Sequence, residues 1–301
     1  MPDSVEIIDV SPRDGIQNEQ KLLSSETKIA LIERSLDAGI KRLEATSFVN
    51  PKRVPQMADA ESVAAALPSH PDARYIGLTL NRRGFDRAVA CGLHEANFVV
   101  VASDTFNRRN QGVATEDSIA AFAEIKRTAP SEIDVAVTIG AAFGCPFEGE
   151  VPLSRLMQVV EDCMAADPFE LALADTIGVA TPRDITERVG AIKKAFPDVP
   201  LRLHLHNTRN TGIANAWAGL EAGARSLDAS FGGVGGCPFA PRATGNIAIE
   251  DLVYMLERSG VKTGVSLDKA IETAEWLEAR LEKQVPGMVM KAGGFPTPTA
   301  A

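Results

Sequence analysis

A (β/α)8 TIM barrel is the fold class this sequence predicts, and three observations carry it. Eight short apolar, β-branched runs alternate with longer segments whose apolar residues recur at helical spacing. No glycine-rich nucleotide turn comes after the first run, which counts against an open doubly wound sheet. Polar residues suited to chemistry gather after the strand runs and not before them, at the end where such a barrel builds its site.

The units run in chain order. A strand over residues 5–10 precedes a helix over 28–38, where Ile29, Ile32 and Leu36 share a face. Strand 42–48 leads to helix 54–66 with Met57, Ala60 and Val63, and strand 75–80 to a short helix over 85–90. Strand 96–102 is followed by a polar loop, Asp104 to Asn110, and then helix 115–128 with Ile119, Phe122 and Ile125. Strand 134–139 pairs with helix 153–164, whose face is Leu153, Leu156 and Val160. Strand 169–174 pairs with helix 183–196, carrying Ile185, Val189 and Ile192. Strand 201–206 is followed by helix 212–221 with Ile213, Trp217 and Leu220. Strand 226–231 opens into a glycine cluster before helix 246–256 with Ile249, Leu252 and Leu256. No Pro/Gly/Ser linker divides the chain, so one domain is expected over residues 1–301, with the barrel at about 5–260 and an extra helix and tail over 265–301.

Composition narrows the function classes. The chain has 301 residues, 45% hydrophobic and 24% charged, the balance of a globular protein. A net charge of −9 with no basic tract excludes a general nucleic-acid binder. Cys91, Cys145, Cys163 and Cys237 lack any paired spacing, which points to a reducing compartment. No apolar run reaches membrane-spanning length, and the N-terminus runs straight into the first strand with no room for a signal peptide, so a cytoplasmic protein is expected.

The site begins with Leu203-His204-Leu205-His206, which uses two of the chain's four histidines. Strand alternation puts both imidazoles on one face. Alone, the pattern fits two hydrogen-bonded core histidines equally well. Asp14 after the first strand and Asn246 after the eighth add oxygen donors at the same rim, which moves the reading to a divalent cation, Mg²⁺, Mn²⁺ or Zn²⁺, with positions open to substrate. Arg13 would stabilise negative charge developing on a substrate oxygen. Glu44, inside an apolar strand, needs a partner such as Arg13 and reads as support for the site. Cys237, among glycines, reads as a proton donor or acceptor brought by a loop, whereas Cys145 reads as structural. Arg108 and Arg109 sit at the mouth and suit an anionic group such as the phosphates of coenzyme A.

The run Val10-Ser-Pro-Arg-Asp-Gly-Ile-Gln-Asn-Glu19 resembles the signature of the hydroxymethylglutaryl-CoA lyase family. The likeness continues in Glu44-Ala-Thr-Ser-Phe-Val-Asn-Pro-Lys52, Gly144-Cys-Pro-Phe-Glu-Gly149, Asp175-Thr-Ile-Gly-Val179, Gly235-Gly-Cys-Pro-Phe-Ala240 and the segment from Gly245 to Leu256. The resemblance implies that Asp14, His204, His206 and Asn246 hold the metal. It implies that Arg13 stabilises an enolate, that Cys237 is the catalytic loop cysteine and that Glu44 supports the site. It further implies a homodimer acting on an acyl-CoA: a metal-dependent retro-Claisen lyase for 3-hydroxy-3-methylglutaryl-CoA or a close analogue, giving acetyl-CoA and acetoacetate, with His204 as the best-placed base. Cleavage of another 3-hydroxyacyl-CoA such as citramalyl-CoA, or a Claisen condensation, are the alternatives. Asn207, Arg209, Gly140 and the surroundings of Pro241-Arg242 depart from the family pattern, and the expectation is an acyl group of different shape or charge.

Overall fold

All eight strand runs form strands, and they close on one another in chain order. The computed structural model describes residues 1–236 and 244–296. The strands are β1 (Glu6–Asp9), β2 (Arg42–Ser47), β3 (Arg74–Thr79), β4 (Glu95–Val101), β5 (Asp134–Gly140), β6 (Leu171–Asp175), β7 (Leu201–Leu205) and β8 (Ser226–Ala229). Each pairs in parallel with its neighbour, and β8 pairs with β1 to close the barrel. The longest ladder joins β4 to β5 from Glu95–Asp134 to Val101–Gly140. The fold class is therefore the one expected.

The helices pack outside this barrel. They are α1 (Ser25–Asp37), α2 (Ala60–Ala65), α3 (Arg82–Ala90), α4 (Asp104–Gln111), α5 (Thr115–Thr128), α6 (Leu153–Met164), α7 (Pro182–Ala195), α8 (Gly212–Ala222), α9 (Ile249–Arg258), α10 (Leu267–Leu281) and α11 (Val289–Ala292). The main core lies between their apolar faces and the outward residues of the strands, such as Leu43, Phe98, Leu173 and Leu203. None of the helices among the described residues is long and apolar enough to cross a membrane.

Four local features depart from the sequence expectation. The polar loop after β4 is a helix, α4, because Ser103 accepts the Phe106 N–H at its start and Gly112 closes it at φ 84°. The expected helix over 54–66 starts late and divides: Val54, held out of the helical region before Pro55 (φ −129°), leads into a 3₁₀ turn (Pro55–Met57), and α2 begins at Ala60. Asn246 does not open a helix: it forms a bridge with His206, and α9 starts three residues later. A short hairpin, Gly144–Cys145 with Gly149–Glu150, lies beyond β5.

The inside of the barrel is not the usual stack of aliphatic layers. Ile8, Val10 and Ile76 form one small apolar cluster. Below the mouth, Arg42, Glu95, Glu170 and Arg202 are all buried instead. Arg42 spends every guanidinium donor on carboxylates: Nε and Nη2 on Glu95 (3.0 and 2.7 Å), Nη1 on Glu6 (3.0 Å), and Nη1 and Nη2 on Glu170 (3.0 and 2.7 Å).

Glu250, in the first turn of α9, anchors the segment that leaves β8. Its Oε2 accepts the Gly232 N–H at 3.1 Å, and Gly232 O accepts the Gly287 N–H at 2.8 Å. Gly232 stands at φ 66°, and a Cβ there would meet Val285 Cγ2 at 2.6 Å, so only glycine fits. Burial pushes the Glu250 carboxyl up to about 8 from an ordinary 4.5. Between those two values the folded protein holds a proton the unfolded chain has released, so stability falls as pH rises through that window. Glu250→Gln removes the penalty. Its melting temperature relative to the parent should rise from pH 5 to pH 8.5, and a difference constant across that range would contradict the assignment.

Candidate active site

The turn after β1 sets the geometry of the site. Ser11–Gly15 forms a single π-helical turn closed by Gly15 N–H to Val10 O at 3.0 Å. Its start is fixed by the Ser11 N–H on Asp9 Oδ1 (2.7 Å), and Ser11 Oγ accepts the Phe231 N–H from the far side of the closure (2.8 Å). Gly15 lets the turn pack against the loop after β8, where a Cβ would lie 2.8 Å from Val234 Cγ2. The turn delivers Arg13 and Asp14 together into the barrel mouth.

His204 and His206 come up from β7 on the same face, with their Nε2 atoms 3.1 Å apart. Asp14 Oδ2 is 3.8 Å from each of these nitrogens. The three donor atoms lie within 4.8 Å of one another, and all three residues are buried. Asp228, register partner of His204 on β8, engages His204 Nδ1 through Oδ2 at 3.0 Å. That contact assigns the proton to Nδ1 and leaves the Nε2 lone pair facing the cluster. Asn246 reaches the same place. Its Nδ2 donates to Asp14 Oδ2 (2.8 Å) and Val234 O (3.0 Å), while Oδ1 is buried with no hydrogen-bond partner among the described residues. That leaves an unpaired amide oxygen on a residue hydrogen-bonded to Asp14.

Arg13 is held in a plane by two carboxylates. Nη1 donates to Asp14 Oδ1 at 2.7 Å, Nε donates to Glu44 Oε2 at 2.6 Å, and Nη2 also contacts Glu44 Oε2. Behind Glu44, Asn97 Nδ2 donates to Oε1 (3.2 Å), and Thr138 Oγ donates to Asn97 Oδ1 (2.8 Å). Polar side chains from β2, β4 and β5 therefore form one chain that ends on Arg13.

These contacts determine the charges. Burial works against the Asp14 carboxylate, but Arg13, both histidines and the Asn246 amide outweigh it and hold it at about 2. Burial also opposes charge on His204, yet its hydrogen bond to the Asp228 carboxylate and the charge of Asp14 raise it above the ordinary imidazole value. His206 has no such hydrogen-bonded carboxylate; burial dominates and pushes it down to about 4. Two imidazole nitrogens aimed at one point beside an ionised carboxylate form a donor set suited to a divalent cation.

A cavity of about 690 Å³ opens above this cluster, with Arg13, Asp14, His204 and His206 at its floor and Arg53 and Arg109 in its walls. Arg109 lies over the Phe147 ring at 4.0 Å. Arg108 is outside the cavity, paired with Asp104 at 2.7 Å on the surface of α4. Cys145 is buried against Ser103 Oγ (3.0 Å) and accepts the Phe147 and Glu148 N–H groups, in keeping with a structural role. Cys237 and Arg242 lie outside the described residues; Gly236, just before Cys237, lines the cavity.

Two of the sequence departures do not line the cavity. Arg209 Nη1 donates to Ile177 O (3.0 Å) and Gly178 O (2.9 Å), bracing the loop after β6. Asn207 Oδ1 accepts the Gly212 N–H at 3.0 Å at the start of α8. Gly140 does line the cavity, close to Thr176. Sequence reasoning missed Asp228, Asn97 and Thr138. Each is a polar residue inside an apolar strand, the same signal that drew attention to Glu44.

Comparison with known proteins accords with this geometry. Residues 4–277 match the family model described as HMGL-like. The (R)-citramalyl-CoA lyase of Chloroflexus aurantiacus is 44% identical over 97% of this chain and 95% of its own. The mitochondrial hydroxymethylglutaryl-CoA lyase of Homo sapiens is 38% identical over 97% of this chain and 90% of its own. Among solved structures, an HMG-CoA lyase from Acinetobacter baumannii in complex with coenzyme A and 3-methylmalate superposes with a TM-score of 0.94 at 39% identity, covering 98% of each chain. With its barrel, its buried Asp–His–His cluster and these relatives, the chain belongs to the HMGL-like family and is a carbon–carbon lyase.

Proposed function

We propose that this enzyme cleaves the C2–C3 bond of a 3-hydroxyacyl-CoA thioester branched at C3, in a metal-dependent retro-Claisen reaction. The observation that carries this reading is the contact of the Arg13 guanidinium with Asp14 at 2.7 Å, which sets a charge stabiliser beside a cation-binding cluster on one cavity floor. Two substrates stand level. The A. baumannii structure and the 38% identical human relative favour 3-hydroxy-3-methylglutaryl-CoA, and the 44% identical relative favours citramalyl-CoA.

Asp14, His204 and His206 are assigned to a divalent metal, Mg²⁺ or Mn²⁺ ahead of Zn²⁺, with Asn246 joining through Oδ1. The unpartnered Asn246 Oδ1 and the facing Nε2 atoms support that assignment. When bound, such an ion supplies Lewis acidity that lowers the pKa of the substrate's tertiary alcohol. A ring nitrogen that ligates cannot also take a proton, and Asp228 occupies the other nitrogen of His204. His204 is therefore assigned as a ligand and not as the base. Asp14, held at about 2, is too weak a base for the task.

As C2–C3 breaks, the alcohol gives its proton to solvent water in the open cavity, and its C–O becomes the carbonyl of the keto acid. The electron pair passes to C2 and the thioester oxygen as an enolate. Arg13, kept in place by Glu44, donates to that oxygen. Cys237, one residue past the cavity-lining Gly236, then protonates C2 to give acetyl-CoA. Arg53 and Arg109 at the walls suit the phosphates of coenzyme A. The family resemblance supports a homodimer, and the free thiols of Cys91, Cys145 and Cys163 support a reducing, cytoplasmic setting.

Purified protein incubated with both thioesters and Mg²⁺ or Mn²⁺ should release acetyl-CoA from at least one, lose that activity in EDTA and regain it with excess metal. Failure to cleave either thioester with metal present would sink the reading. Cys237→Ala should keep Mn²⁺ binding while kcat falls roughly 10²- to 10⁴-fold; full turnover in that variant removes the cysteine from the reaction. Glu44→Gln should lower kcat roughly tenfold to a hundredfold, with Mn²⁺ affinity within a few-fold of the parent, because it loosens Arg13 and leaves the donors in place.

A further inference from the structure

Beneath the cluster lies a buried cation to which the proposed reaction gives no direct part. Arg202 is two residues before His204 on the same face of β7 and is wholly inaccessible to solvent. Unlike Arg42, it makes no hydrogen bond of good geometry at any of its three nitrogens among the described residues. Its charge is met only by proximity: Nε lies 3.2 Å from Glu170 Oε2, and Nη1 lies 3.7 Å from Asp228 Oδ1. An aliphatic side chain would fill a barrel layer without burying such a group. The position of the guanidinium gives it a use. Asp228 stands between two groups, with Oδ1 toward Arg202 and Oδ2 on His204 Nδ1 at 3.0 Å. Oδ1 has no hydrogen bond of its own, so Arg202 is what draws that end of the carboxylate toward the barrel floor.

We propose that Arg202 is a positioning residue for the metal site: it orients Asp228, and through Asp228 it fixes the ring and tautomer of His204 so that Nε2 faces Asp14 and His206. The inference rests on the reading of Asp14, His204 and His206 as metal ligands. Residues behind a metal-bound imidazole commonly change metal affinity ten- to a hundredfold when replaced.

Two readouts test it. The first is Mn²⁺ affinity by titration calorimetry in the full-length protein. Arg202→Met should weaken Mn²⁺ binding roughly tenfold or more, and Arg202→Lys, which keeps a cation in the layer, should recover affinity to within about threefold of the parent. The second is the ¹⁵N spectrum of histidine-labelled, metal-free protein at pH 8.5, simple to assign with four histidines in the chain. His204 should show a single Nδ1–H tautomer in the parent and a mixture in Arg202→Met. If Arg202→Met does not fold, Arg202→Gln, neutral but polar, takes its place in both measurements. Parent-like affinity and an unchanged His204 tautomer in the neutral variant would overturn the proposal. So would equal losses of affinity in the neutral and lysine variants that track their melting temperatures. If the parent itself binds no Mn²⁺, the metal-site reading fails instead, and the tautomer measurement still decides whether Arg202 orients His204.

Discussion

Everything at the mouth of this barrel depends on keeping the Asp14 carboxylate charged in a place that water hardly reaches. An isolated buried carboxylate would take up a proton. Arg13 prevents that through the contact at 2.7 Å, and Arg13 is in turn prevented from collapsing onto Asp14 alone by Glu44 on its other edge. Glu44 then needs its own support, which arrives from Asn97 and Thr138. One electrostatic requirement therefore recruits polar residues from strands that would otherwise be apolar. The histidine side repeats the logic, since Asp228 secures His204 while His206, lacking such a partner, is left neutral.

The fold was legible in the chain because parallel strands buried on both faces and amphipathic helices carry different periods, and eight repeats of that alternation admit few architectures. Boundaries failed where side chains compete with periodicity. Ser103 and Gly112 cap a helix whose residues, Asp104 to Gln111, contain a single apolar side chain, Phe106, so no stripe announced it. Asn246 looked like a helix start because helical spacing resumes at Ile249, yet its backbone is committed to a bridge with His206. That bridge is what carries the amide to Asp14, so the error and the function share a cause.

For the site, residue type and strand-end position were enough to assemble Arg13, Asp14, Glu44, His204, His206 and Asn246 at one end of the barrel. They could not reveal what each side chain faces. Arg209 reads in the sequence as a charge added next to the histidines, but its Nη1 donates to the Ile177 and Gly178 carbonyls and braces the loop after β6. A guanidinium can meet backbone carbonyls or an anion equally well, and only the path of the neighbouring loop decides between them. Gly140 keeps its place in the cavity wall, so acyl-group discrimination is better sought along β5 and at Thr176 than around Arg209.

The interior of the barrel obeys the same electrostatic logic. Aliphatic layers would fill it at lower cost, yet Arg42 and Arg202 face Glu95, Glu170 and Asp228 there. Arg42 is fully hydrogen-bonded, as a buried structural cation must be to offset its desolvation. Arg202 is not, although both touch the same Glu170. Had stability alone shaped this layer, the two arginines would be expected to be equally well satisfied, or one of them replaced by an aliphatic residue. The unequal pairing makes sense if the second guanidinium is placed for the carboxylate above it, and that carboxylate is the one that holds His204.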